Sequence, residues 1–235
     1  MESLEAQVKA LADNMNECDI VKKLQLLGKT LITDYIIKIR DILIEPLWVE
    51  AYYSNAERKF TDPFIHGKEE QCEFGILYFH HKTDDSRSGV DICLSLYNKD
   101  EIKNKYYLSY LLKYTLVNGE FTTQSQLSAK IRNTYNSLSE FEKSNILFKT
   151  PNKGKTDIVG YTTRIGLNAK DPDLQRKIIY AQLKLAIAKN FDKTYSIRKK
   201  LPHIESLAYN FLSTYDSDKE KWCKDHLGYC LKNIK

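Results

Sequence analysis

The segment Trp48-Val49-Glu50-Ala51-Tyr52-Tyr53 ends an apolar, β-prone run on a carboxylate, with a tyrosine two residues further on. Side-chain direction alternates along a strand, so Glu50 and Tyr52 share one face. Asp62-Pro63 is a turn signal that places His66 on the loop behind it. A carboxylate beside flat side chains suits general-base chemistry on a flat ligand. Trp48, Tyr53 and Phe64 add to the ring density, and rings of this kind stack on nucleobases. The simpler alternative for Glu50 is a strand-end carboxylate that faces water or a cation; sealed by Arg40 or Lys38, it would be scaffold.

Further candidates lie downstream. His80-His81 follows Leu77-Tyr78-Phe79, and alternation sends the two imidazoles to opposite faces, so at most one joins His66. Asp91 opens the next apolar run. Asp62, His66, one of His80 or His81, and Asp91 have metal-ligand chemistry, but no characteristic spacing. The chain has no Walker loop, Gly-x-Ser-x-Gly elbow, GxGxxG or HExxH. Its five cysteines form no CxxC pair, which argues for reduced, structural thiols and against a structural zinc site. No cofactor and no metal is expected.

These residues need a sheet to hold them. Residues 4–13 read as a short amphipathic helix, and Ile20–Leu27 as a second, capped by Asp19 and stopped by Gly28. Thr30–Tyr53 reads as a β-rich tract with turns at Asp34 or Asp41. Phe74–His81 and Val90–Tyr97 read as strands around a polar loop, Lys82–Gly89. Tyr106–Val117 fits either a strand or a helical stripe, and its aromatic content and the Asn118-Gly119 boundary favour a strand. Helices are expected over Thr123–Asn136 and Ser137–Asn145, a loop over Lys149–Lys155, and a strand over Val159–Leu167. A basic helix is expected from Asp171-Pro172 to about Lys189, with two more helices after Leu201. The expected class is α+β, a central mixed or antiparallel sheet flanked by helices, with residues 1–200 as one domain and 201–235 as a helical extension packed on it.

Composition narrows the options. At 235 residues, with 42% hydrophobic and 29% charged, the chain can bury one sizeable core. No apolar stretch approaches a membrane span, and the N-terminal residues show no leader pattern, so a cytoplasmic or nucleoid location is expected. The net charge of +5 is compatible with a polyanion. Arg176–Lys200 carries eight basic residues against Asp192 alone, either a solvated helix face or a phosphate-facing surface.

Leu26-Leu27-Gly28-Lys29-Thr30-Leu31, Val49-Glu50-Ala51-Tyr52, Asp62-Pro63-x-x-His66-Gly67, Leu77-Tyr78-Phe79-His80 and Thr163-Arg164-Ile165-Gly166-Leu167 occur in this order. In that order they resemble the DNA-3-methyladenine glycosylases of the alkyladenine type, over roughly Leu24 to Leu167. The resemblance implies that Glu50 activates the water that attacks C1′ of an extruded nucleotide. It implies that Tyr52, His66 and His80 stack on or hydrogen-bond the flipped base, that Asp91 borders the base pocket, and that Lys113 and Arg164 contact nucleic acid at its rim. His80 stands where the family has tyrosine, and Asp91 where it has asparagine. Lys68-Glu69-Glu70-Gln71 replaces an arginine-rich segment, and the loop between Glu50 and His66 is a few residues longer. The Lys82–Gly89 loop lacks the tyrosine that wedges into the duplex.

The expected activity is therefore hydrolysis of the N-glycosidic bond of a flipped, alkylated purine, by a divergent member. The expected partner is DNA carrying a damaged base, with RNA or a single strand as alternatives, no membrane, and a monomeric state. Two rival readings are a non-catalytic module that binds nucleic acid or protein on the same scaffold, and a metal-dependent hydrolase.

Overall fold

The computed structural model describes residues 3–12, 16–80, 89–96, 105–134, 147–149, 159–162, 164 and 183–189. Two helices come first, α1 (Leu4–Ala12) and α2 (Glu17–Asp34). Asn16 caps α2 by accepting a hydrogen bond from the Asp19 amide at 2.8 Å. Ile20, Leu24, Leu27 and Leu31 recur at four- and three-residue spacing and form the buried stripe of α2. Leu4, Val8 and Leu11 of α1 join the same core.

The strands are β1 (Ile36–Ile39), β2 (Ile42–Asn55), β3 (Phe60–Thr61), β4 (Phe74–Phe79), β5 (Val90–Leu94), β6 (Tyr106–Val117), β7 (Glu120–Thr123), β8 (Leu147–Lys149), β9 (Val159–Thr162) and β10 (Ala186–Lys189). A 3-10 turn, Glu69–Cys72, precedes β4, and α3 (Gln124–Asn133) follows β7. The described strands form one antiparallel sheet with the path β4-β5-β6-β2-β1-β8, so the class is α+β. The long pair β2–β6 is its spine. Asn118 and Gly119, with φ of 49° and 84°, turn β6 into β7, the left-handed pair that a tight hairpin needs. Leu43 N also donates to Asn118 Oδ1 at 2.8 Å, which ties this turn to β2.

One edge of β2 changes partner midway. Ile42–Ile44 pair with β1, whereas Trp48–Glu50 pair with β10. Pro46 falls between the two sets, where no amide is required on that edge, and the β6 register slips beside it. The strand therefore tolerates a proline just before the segment that carries Glu50.

Four sequence expectations are corrected. Asn16 rather than Asp19 caps the second helix, which starts at Glu17 and takes Asp19 into its first turn. The tract from Thr30 is not β from its start, because α2 continues to Asp34; its buried stripe outweighs the β-branched Thr30, Ile32 and Thr33. Gly28 lies inside α2 rather than ending it. A Cβ there would meet Ile187 Cδ1 at 2.8 Å and Tyr110 Cε1 at 3.0 Å, so the glycine serves close helix–sheet packing. The basic helix does not reach Lys189, since Ala186–Lys189 is a strand between β2 and β9. The expected helices at Ser137–Asn145 and beyond Leu201, most of the Lys82–Gly89 and Lys149–Lys155 loops, the start of the Asp171 helix and the 201–235 extension lie outside the described residues.

The Gly28 contact gives a stability prediction. Gly28→Val should destabilise by about 2 kcal/mol through overpacking, as read by urea denaturation, and Ile187→Ala in the same chain should recover part of that loss. Additive losses would show that the clash is not at Ile187.

Candidate functional site

Register builds the site. Tyr78 pairs with Asp91, Asp91 with Leu111, Leu111 with Glu50, and Glu50 with Ala186. Paired residues project to the same side, so Tyr78, Asp91, Leu111 and Glu50 form a row across four strands. Tyr52 and Ser109 form the next row, and Lys113 lies one step the other way along β6. On the opposite side, Val49, Ala51, Tyr110 and Ile187 join the core with α2. Tyr110 Oη donates to Leu24 O at 2.8 Å, which fixes the sheet against that helix.

Glu50 is fully buried. Its Oε2 lies 3.6 Å from Lys113 Nζ and accepts a hydrogen bond from Tyr52 Oη at 3.3 Å. The partner is thus Lys113, from the neighbouring strand, and not Arg40 or Lys38. Burial, followed by the Glu50 charge, holds the Tyr52 hydroxyl well above its usual range, so it stays a protonated donor.

Arg164 is 5% exposed and stands behind Tyr52. Its guanidinium is ion-paired with Asp62, whose Oδ1 accepts from Nη2 at 3.3 Å, and Nη1 donates to Ala51 O at 3.2 Å. It lies 4.7 Å from the Tyr52 ring centroid and 5.4 Å from that of Phe64. Asp62 also receives the Phe64 amide at 3.1 Å, which shapes the loop that carries His66. Arg164 is therefore an interior brace between β2 and this loop, and Lys113, 9% exposed, is an interior counter-charge. Neither occupies the open rim that the sequence resemblance implied for them.

A second cluster lies across β6. Asp91 is buried, and both its oxygens are engaged: Oδ1 with His80 Nε2 at 2.8 Å, and Oδ2 with Ser109 Oγ at 2.8 Å and Gln71 Nε2 at 3.3 Å. The His66 ring meets the His80 ring edge-on at 4.6 Å, and Tyr78 packs 5.1 Å from His80. Five candidates, His66, His80, Asp91, Glu50 and Tyr52, thus lie on or beside one sheet face. Gln71, Ser109 and Tyr78 were not singled out from sequence. Gln71 and Ser109 carry no signal of their own, because a lone Gln or Ser becomes a carboxylate partner only through register. His81 lies outside the described residues.

Compared with protein-family models, with curated proteins and with solved structures, the chain matches none. Among the described residues, no three His, Cys, Asp or Glu side chains are grouped to hold a metal ion. Asp62 is committed to Arg164 rather than to His66. No helix among them is long and apolar enough to cross a membrane.

The two imidazoles are driven apart. Burial, then the neighbouring His80 charge, lowers His66. Burial also acts to lower His80, but the hydrogen bond and charge of Asp91 outweigh it and raise the net value. A raised folded value contributes stability below the ordinary histidine range, and that stability is lost as pH rises through it. A lowered value acts in the opposite sense, with stability lost as pH falls below that range. His80→Gln should therefore cost more stability at pH 5.5 than at pH 8, whereas His66→Gln should cost less at pH 5.5. Urea midpoints for both variants across this window test the pair, and parallel curves would refute it.

Proposed function

We propose that this protein hydrolyses the N-glycosidic bond of an alkylated purine flipped out of DNA, with Glu50 orienting and deprotonating the attacking water. The observation that carries the reading is the placement of Glu50 and Tyr52 on one sheet face, with the His66–His80–Tyr78 ring cluster one strand beyond β6. Lys113 Nζ, 3.6 Å from Glu50 Oε2, and the Tyr52 hydroxyl hold the carboxyl group in place on this face. The rings offer a flat ligand faces and edges to pack on. An alkylated, cationic purine is already a good leaving group, so water activation and stacking supply the main requirements of the reaction. No cofactor or metal enters the chemistry.

A second reading is a non-catalytic module that binds nucleic acid or protein. The full burial of Glu50 and its ion pair with Lys113 favour it, because a carboxylate in this setting also serves as scaffold.

The deciding experiment is incubation of the purified protein with duplex and single-stranded DNA containing N7-methylguanine or 3-methyladenine. Release of the free base, leaving an abasic site, is expected. Binding without release, weakening steeply with salt, would move the protein to the second reading. Failure of every modified strand to release a base would end the enzyme reading.

A further inference from the structure

Tyr52 is joined both to Glu50 and to the buried ion pair behind it. Its hydroxyl donates to Glu50 Oε2 at 3.3 Å, and the Arg164 guanidinium lies over its ring, 4.7 Å from the centroid. One face of the ring is therefore taken by a cation, and that cation is itself held by Asp62. A face so occupied is closed to a stacked purine. Alternation along β2 turns Tyr52 to the Glu50 side of the sheet, and the phenol end of the side chain meets the carboxylate.

The backbone between the two residues is fixed as well. Arg164 Nη1 donates to Ala51 O at 3.2 Å, and Ala51 N donates to Leu185 O at 2.8 Å. The Ala51 side chain is in the core on the opposite side of the sheet. Glu50 and Tyr52 thus project from a stretch of β2 that is held on both edges, with Leu111 and Ser109 as their partners on β6. Burial, then the Glu50 charge, keeps the Tyr52 hydroxyl protonated, so it remains a donor. Lys113 reaches the same oxygen, Oε2, from β6 at 3.6 Å. Donors arriving at one carboxylate oxygen from two strands set the orientation of the whole group.

We propose that Tyr52 is the positioning residue of Glu50 and not a platform for the flipped base, which is the task that the sequence resemblance implies for it. This rests on the glycosidic reading above. In the step, the water oxygen bonds to C1′ while Glu50 takes a water proton. The C1′–N9 bond breaks, and its electron pair leaves with the alkylated purine and cancels the positive charge of that base. The hydroxyl proton stays on Tyr52 throughout, and Glu50 afterwards gives its proton to solvent. The contribution of Tyr52 is to hold the carboxylate at one angle before the water attacks. At 3.3 Å the contact is long for an O–H···O bond, and contacts of this kind tighten in the substrate complex.

The test is steady-state base release from a duplex containing N7-methylguanine. Tyr52→Phe keeps the ring and its contact with Arg164 but removes the hydroxyl. It should lower kcat about 30-fold and leave KM unchanged, because a hydrogen bond to a charged group is lost and no contact with the base is. In the Glu50→Gln background the same change should cost nothing further, since no general base is left to position. A tyrosine that stacks on or hydrogen-bonds the base would instead raise KM, and one that only supports the fold would cost the same factor in both backgrounds. Either result, or an unchanged kcat, would overturn the positioning role and leave the Glu50 reading standing. Release of no base by the wild type would remove both.

Discussion

Glu50→Gln should lower base release on the order of 10³-fold while the protein still folds, because a carboxamide cannot accept the proton of the attacking water. The substitution keeps the shape of the side chain and an oxygen for the Tyr52 hydroxyl, which approaches Glu50 at 3.3 Å. What it removes is the anion opposite Lys113, 3.6 Å away and nearly buried. A nearly buried cation that loses an anionic partner is costly, so some stability should be lost along with activity. The double variant Glu50→Gln with Lys113→Met separates the two effects. It should regain stability in urea denaturation but no activity, because the ammonium is gone and the base is still missing. Release that survives Glu50→Gln would refute the assignment of the base, and release restored by the double variant would show that the loss came from the stranded charge.

The largest stability effect is expected at Arg164. Its side chain and that of Asp62 have no exposed surface, so Arg164→Ala leaves a buried carboxylate without its cation. Breaking such a pair costs about 3–5 kcal/mol. In a chain of this length that corresponds to a fall in Tm of roughly 10 °C. The guanidinium also covers the Tyr52 and Phe64 rings and holds Ala51 O, so the loop bearing His66 should loosen with it. Replacing both partners, with Arg164→Met and Asp62→Leu, should recover much of the loss, since neither buried charge remains. Thermal denaturation of the two variants and the wild type checks this. A single variant as stable as the wild type would mean that the pair is solvated in solution.

Part of this architecture was legible in the chain. The strand nature of Tyr106–Val117 follows from its aromatic and aliphatic content and from Asn118-Gly119, whose left-handed turn matches the twist of a hairpin. The Glu50–Tyr52 pairing on one face follows from alternation alone, and the loop placement of His66 from Asp62-Pro63. Other features depend on distant residues. Gly28 looks like a helix stop, because glycine is common there. It is an interior position because Ile187 and Tyr110 occupy the space where a side chain would stand. Ala186–Lys189 continues a basic helical pattern locally, yet its backbone completes the edge of β2 that Pro46 divides.

The sequence by itself determined the α+β class, the main strands and the two residue types, carboxylate and imidazole, available for chemistry. These depend on short-range periodicity and turn conformation, which are carried by neighbours in the chain. Only the tertiary structure decided which charges meet. Lys113 neutralises Glu50, Arg164 belongs to Asp62, and Asp91 holds His80, Ser109 and Gln71. Such pairings are set by strand register and by desolvation, and both come into being only when elements far apart in sequence pack together.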